Sequence, residues 1–367
     1  MGSRIAASVA LMFLAAGGLL VAERSSLAQA PVTHTPAEAK PAPVVAAPPA
    51  KPLIPAAETP LPKAKPTAAR NEVPLPPHKP ALAVRAKEKG VPASFLFAAK
   101  KLPSRGPSRV IGYYSHGCLQ GGVELPNNGP HWEVMRLSRN RYWGHPELVR
   151  FIKRLSASVA KATGWPGILI GDMAQPRGGP LPSGHTSHQV GLDVDIWYMP
   201  MPDRTLTTKE RETISATRMI AENGLSVNKN WTPPDAAFVR TVAEQPEVER
   251  VLVNAAVKKK MCELAGKHHF AWMAKLRPWY FHTSHIHVRL KCPAGSPHCR
   301  HQPPVPAGDG CRKKDLAYWF SKKALAVKPE TPSAKLKHPI TMARLPAACR
   351  QVLNAPANKT DLAVEGR

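Results

Sequence analysis

Two short stretches hold the side chains most capable of chemistry. Ser183-Gly184-His185-Thr186-Ser187-His188-Gln189-Val190-Gly191-Leu192-Asp193-Val194-Asp195-Ile196 packs two imidazoles and two carboxylates into eleven residues, from His185 to Asp195. Further on, His282-Thr283-Ser284-His285-Ile286-His287-Val288-Arg289-Leu290 adds three more imidazoles. Neutral imidazole and carboxylate are the donors of an open zinc site, in which three protein ligands leave a fourth position for water. Zinc lowers the pKa of that water to about 7 and polarises a carbonyl, which is hydrolytic chemistry. A further His near the water can remove its proton or stabilise the oxyanion. Taken singly, each stretch also reads as a wet strand face with satisfied histidines; the chemistry requires that the two meet.

The elements that must bring them together follow from periodicity. Small, turn-prone residues give way to Asp alternating with aliphatics, so a loop runs into a strand that puts Asp193 and Asp195 on one face and Leu192, Val194 and Ile196 on the other. His285 and His287 share a face of a strand over Ser284–Leu290, with Arg289 next along it. There Arg289 could pair with a substrate carboxylate or form a structural salt bridge. Pro146–Ala162 reads as an amphipathic helix, with Leu148, Phe151, Ile152, Leu155 and Val159 at helical spacing and Pro146 suited to the first turn. Ile168–Met173 reads as a buried strand, Thr207 or Thr208 to Ala221 as a capped helix ended by Asn223-Gly224, and Val251–Val253 as a strand between helices over 235–244 and 255–265. Short strands and helices without β-α-β repetition predict an α+β fold: a small, mainly antiparallel sheet carrying the site, flanked by helices and loops and stapled by disulfides.

Composition divides the rest. The first 30 residues have the layout of a secretory signal: Arg4, an uncharged run from Ile5 to Ala22, and small residues at Ala28-Gln29-Ala30. The run is also long enough for an uncleaved anchor. Residues 31–93 hold 16 of the 41 prolines and few aromatics, a composition that predicts an extended tether rather than a core. The folded domain is expected over 94–320, followed by a polar tail, 321–367, tied back through Cys349. Six cysteines, an even number in an exported chain, suggest disulfides, and Cys292-Pro-Ala-Gly-Ser-Pro-His-Cys299 looks like a self-closed loop. The absence of C-x-x-C argues against a zinc ribbon or thioredoxin-like site. The net charge of +26 points to acidic partners. Export and the lack of any nucleic-acid motif argue against DNA or RNA among them; oligomeric state is not legible.

The combination of His188-x6-Asp195 with His285-x-His287 resembles the metallopeptidases grouped with lysostaphin and the D-alanyl-D-alanine peptidases. More closely, both stretches, with Gly117-Cys118-Leu119, Arg141-Tyr-Trp-Gly-His-Pro146, Ile170-Gly-Asp-Met173, Val253-Asn-Ala-Ala-Val257 and Gly308-Asp-Gly-Cys311, resemble the penicillin-insensitive murein endopeptidases over about Val110–Phe320. The resemblance implies a periplasmic zinc endopeptidase that hydrolyses D-alanyl-to-diaminopimelate cross-links in peptidoglycan. It implies His188, Asp195 and His287 as zinc ligands, His285 as the catalytic imidazole and His282 as a second active-site His. It also implies the disulfides Cys118–Cys349, Cys262–Cys311 and Cys292–Cys299, and, with no serine to acylate, insensitivity to penicillin. Some relatives have a further metal site that uses the His at the position of His185 and an Asp-Gly-x-His stretch; this chain has Asn223-Gly-Leu-Ser226 there. His185 is thus a ligand of a further site or a support for the first, and Asp193 a support for Asp195 or a solvated carboxylate. A non-catalytic peptide- or zinc-binding module and a D,D-carboxypeptidase share the same donors and stand as alternatives.

Overall fold

The strand β8 (Asp193–Pro200) and the strand β11 (His285–Leu290) lie side by side near the middle of a mixed seven-stranded sheet. The structure is a computed structural model that describes residues 90–327 and 339–358. The signal segment and nearly all of the 31–93 tether lie outside these residues. Across the sheet the order is β10 (Leu276–Pro278), β9 (Val248–Val253), β11, β8, β7 (Ile168–Ile170), β5 (Trp132–Val134), β4 (Asn128–Gly129). Four of its six pairings are antiparallel; β10 with β9 and β5 with β7 are parallel. Two small ribbons complete the β structure: β1 (Arg109–Tyr113) with β2 (His116–Gln120), and β3 (Val123–Glu124) with β6 (Trp143–Gly144).

The two faces of β8 and β11 have different duties. Val194, Ile196, Ile286 and Val288 enter the main core, where they join the apolar faces of α2 (Pro146–Thr163) and α4 (Pro233–Glu244). Alternation leaves Asp193, Asp195, His285, His287 and Arg289 on the opposite face. Each large aliphatic or aromatic side chain buried on the core side contributes about 1.5–3 kcal/mol, so the ligand face rests on a well-anchored support. Local signals fix α2. The His145 ring accepts from the Glu147 N–H, Pro146 occupies the first turn, and Gly164 ends the helix at φ 75°, a left-handed conformation open to glycine.

The helix α3 ends well before the expected Ala221, at Thr208–Thr213. Its start is as the sequence suggests: Thr207 and Glu210 form a reciprocal capping box. At its end Arg136 Nη1 and Nη2 donate to the carbonyls of Arg211 and Ile214. Those are acceptors that a continuing helix would use, and Ile214 and Ala216 pack instead against the cluster of Met135, Leu169, Trp197 and Leu206. The expected strand to Met173 is also shorter: it ends at Ile170, although the Gly171 N–H still donates to the Asp195 carbonyl and the Asp172 carbonyl accepts the Asp195 N–H. The expected strand at Val251 begins earlier, at Val248.

A second core joins α1 (Ala93–Ala98) to the helix Ala348–Asn354 through Phe97, Ile111, Met342, Val352 and Leu353. Arg177 Nη1 donates to the carbonyls of Val352, Leu353 and Ala355. Thus part of the 321–367 stretch is a packed helix, not only a tethered tail. Disulfides join Cys118 to Cys349 within this core, Cys262 of the helix α5 (Ala255–Ala265) to Cys311, and Cys292 to Cys299 across the local loop. Among the described residues no helix is long and apolar enough to cross a membrane.

Candidate metal centre

The register of the two central strands assembles the site. In the antiparallel pairing His287 stands opposite Asp195, and Arg289 opposite Asp193, so residues far apart in sequence become direct cross-strand neighbours on one face. His188 arrives from the loop before β8. Its φ of 65° is unusual for a residue with a side chain, and its N–H donates to Asp193 Oδ2 at 3.0 Å. Phe281 and His282, at φ 68° and 22°, share this departure, so three of the five non-glycine residues with positive φ among those described flank the cluster. Backbone held in such regions costs of order 1–3 kcal/mol and marks sites where function fixes geometry.

Asp195 divides its two oxygens. Oδ1 lies 3.3 Å from His188 Nε2 and 3.1 Å from His287 Nδ1. Oδ2 lies 3.2 Å from His185 Nε2 and 3.6 Å from His285 Nε2. One donor atom from each of His185, His188, Asp195 and His287 falls within 4.8 Å of the others. The fit to a metal can be tested on this geometry. Bonds of about 2.0–2.2 Å at the tetrahedral angle separate neighbouring donors by about 3.3–3.6 Å, and the contacts of Asp195 Oδ1 with His188 and His287 are near that spacing. Both ring nitrogens of His188 and Oδ1 of Asp195 are buried without a hydrogen-bond partner. Buried polar atoms are nearly always satisfied, so this concentration fits a cation shared among them.

Protonation follows from surroundings. Burial pushes the His188 imidazole down to about 4, leaving it neutral, with a lone pair to offer, at neutral pH. Asp195 and Asp193 are buried, which alone would raise them. Imidazoles around Asp195, and Arg289 with His287 beside Asp193, outweigh burial and hold both well below the usual carboxylate range. Asp193 is fully buried, so it is no solvated carboxylate. Its Oδ1 accepts from Arg289 Nε at 2.8 Å and lies 3.3 Å from His287 Nε2. An ionised carboxylate only accepts, so the His287 proton belongs on Nε2 and the lone pair of Nδ1 faces Asp195. Burial lowers and the two carboxylates raise His287, with a net rise.

Arg289 does not reach for substrate: it is buried, holds Asp193 with two nitrogens, and lies 4.2 Å from the Tyr114 ring centroid. His185 is held between Asp195 and Asp172, whose Oδ2 is 3.3 Å away; burial lowers it, but these carboxylates raise it overall. Asp172, which the sequence offered only as part of a resembling stretch, is thus part of the site. Its one local signal is an acid one glycine past the all-apolar strand Ile168–Ile170. His285 is lowered by burial, and His282 to about 3 by burial first and then by its neighbouring imidazoles. His282 Nδ1–H donates to the Tyr280 carbonyl at 2.6 Å, leaving Nε2 an acceptor. The rings of His282 and His285 are 5.1 Å apart. The Asn223–Ser226 stretch forms a turn in which Asn223 Oδ1 accepts from the Leu225 N–H; it supplies no donor to the cluster.

Comparison with known proteins adds lineage to this geometry. A profile described as penicillin-insensitive murein endopeptidase matches residues 110–354. The chain belongs to that family. Among curated relatives bearing the same description, the Haemophilus influenzae protein is 38% identical over 268 residues, covering 72% of this chain and 90% of the relative. The Klebsiella pneumoniae protein is 41% identical over 254 residues, covering 69% and 88%. The Escherichia coli K12 protein is 39% identical over 253 residues, covering 69% and 88%. The match covers residues 110–354 and so includes the candidate metal cluster, the main core and all six cysteines, while Ala93 and Phe97 of the second core precede it.

Proposed function

We propose that this protein is an exported, zinc-dependent endopeptidase that hydrolyses D-alanyl-to-diaminopimelate cross-links of peptidoglycan, in the periplasm, without sensitivity to penicillin. The observation that carries the reading is the buried convergence of His188, Asp195 and His287, with both His188 nitrogens and Asp195 Oδ1 unsatisfied, in a chain of this family. Two imidazoles and a carboxylate suit zinc. A bound zinc ion supplies Lewis acidity, polarising a carbonyl and making hydroxide available near neutral pH.

The chain's own residues do the rest. His285 is partly exposed and kept neutral by burial, and its Nε2 lies on the Oδ2 side of Asp195, where it acts as general base toward the attacking water. His282, with Nδ1–H committed to the Tyr280 carbonyl, offers Nε2 as a second acceptor beside it. His185, between Asp172 and Asp195, holds the carboxylate ligand in place rather than binding a second ion. Asp193 orients His287 and fixes the backbone of His188. Residues 1–30 act as the export signal or anchor and 31–93 as a tether that gives the folded domain reach to the wall. The three disulfides are at home in an oxidising compartment.

Purified full-length protein incubated with cross-linked muropeptide dimers, and the products resolved by mass, tests the proposal. Conversion of dimer to monomers supports it. Release of terminal alanine alone would establish the carboxypeptidase reading instead, and tight binding with intact dimers a binding module.

A further inference from the structure

Asp172 separates the metal cluster from a second group of charges. Its Oδ2 lies 3.3 Å from His185 Nε2 and also accepts from Arg139 Nη1 at 3.1 Å and Arg141 Nη1 at 2.8 Å, so one oxygen links the imidazole to both guanidiniums. Past these guanidiniums lies a cavity of about 210 Å³, lined by both of them together with Lys100, Lys101 and Gln175. Four cations line it and no carboxylate does.

Their hydrogen-bonding capacity is only partly used. Arg141 is committed, with Nη1 on Asp172 and Nη2 on Ser183 Oγ at 3.0 Å. Arg139 contacts Asp172 through Nη1 alone, and its side chain is 47% exposed. Lys101 Nζ donates once, to the Ala98 carbonyl at 3.0 Å. The Lys100 ammonium is lowered by burial first and then by the charge of Arg177, as expected for a cation whose neighbours are also cations. A planar fork with free nitrogens beside two ammonium groups is suited to a carboxylate, which can take parallel hydrogen bonds from the fork and charge from the lysines. Arg289, the other arginine near the site, is sealed against Asp193 and cannot serve.

We propose that this pocket receives a free carboxylate of the peptidoglycan stem peptide and so sets the cross-link against the metal cluster two contacts away. The inference rests on the peptidase reading above and names the group by which that substrate is held. Lys100 and Lys101 are the specificity residues, and Arg139 joins the pocket to the site through Asp172.

Binding reads the pocket apart from turnover. Calorimetry on chelator-treated full-length protein would compare a muropeptide dimer carrying free carboxylates with the same dimer amidated. The carboxylate form should bind about tenfold more tightly, the size of one charged hydrogen bond, and this preference should vanish in K100Q/K101Q while its circular dichroism is unchanged. Equal binding of the two dimers by the unaltered protein overturns the proposal, whatever the variant does. A preference that survives in K100Q/K101Q overturns it too. An intact preference with no cleavage of either dimer by zinc-loaded protein would support the pocket and count against the peptidase reading alone.

Discussion

Asp193 Oδ1 lies 3.3 Å from His287 Nε2, and through Oδ2 the same carboxylate accepts the His188 N–H. A side chain that donates nothing to the metal thus fixes two of the three proposed ligands, one on each of the chemically rich stretches. Arg289 keeps it ionised from the far side.

Asp193→Asn should therefore weaken metal retention about 10–100-fold, the usual effect of losing a carboxylate behind a ligating histidine. Competition with a metal-binding dye measures it. Unchanged affinity would remove Asp193 from the role assigned here.

The ligand and proton-transfer roles should separate. His188→Ala should abolish zinc retention and activity together. His285→Ala should keep zinc and lose about 10²–10⁴-fold in kcat. Quantifying bound metal alongside muropeptide turnover distinguishes the two, and turnover retained in either variant contradicts the assignment.

Acid should weaken the metal-free protein through His282. Its folded pKa, about 3, lies below the ordinary imidazole value of 6.5. Between those values the unfolded chain binds a proton that the native state refuses, so stability falls as pH drops through that window. The raised His185 and His287 act in the opposite sense, which makes a single variant informative. Urea unfolding in chelator at several pH values from 6.5 to 4 should show a shallower loss for His282→Gln; a slope equal to that of the parent protein would refute it.

The Cys118–Cys349 disulfide closes a separation of 231 residues inside the second core. Replacing both cysteines with serine should cost about 2–5 kcal/mol while leaving metal affinity unchanged, because both residues belong to the second core and none of the proposed ligands does. Denaturant melts and metal competition on the same sample check both halves.

Local pattern makes part of this protein legible. Period-two alternation puts Asp193 with Asp195 and His285 with His287 on shared faces, and Pro146 and Thr207 mark two helix starts. Whether the stretches meet is a matter of register: Asp195 opposite His287 and Asp193 opposite Arg289 depend on long-range pairing. The same register explains why Arg289 is a support rather than a contact for substrate. Asp172 is hidden for a similar reason, since its partners Arg139, Arg141 and His185 converge only in space. The early end of α3 at Thr213 is likewise tertiary, imposed by Arg136 on carbonyls that propensity would leave to the helix.

The central claim is that a single zinc ion held by His188, Asp195 and His287 drives cross-link hydrolysis. The most direct test strips the full-length protein with chelator and titrates zinc back while following dimer-to-monomer conversion by mass. Activity should vanish on stripping and return in full at one zinc per chain. Turnover that survives complete metal removal, or that zinc fails to restore to refolded, disulfide-intact protein, would contradict the account.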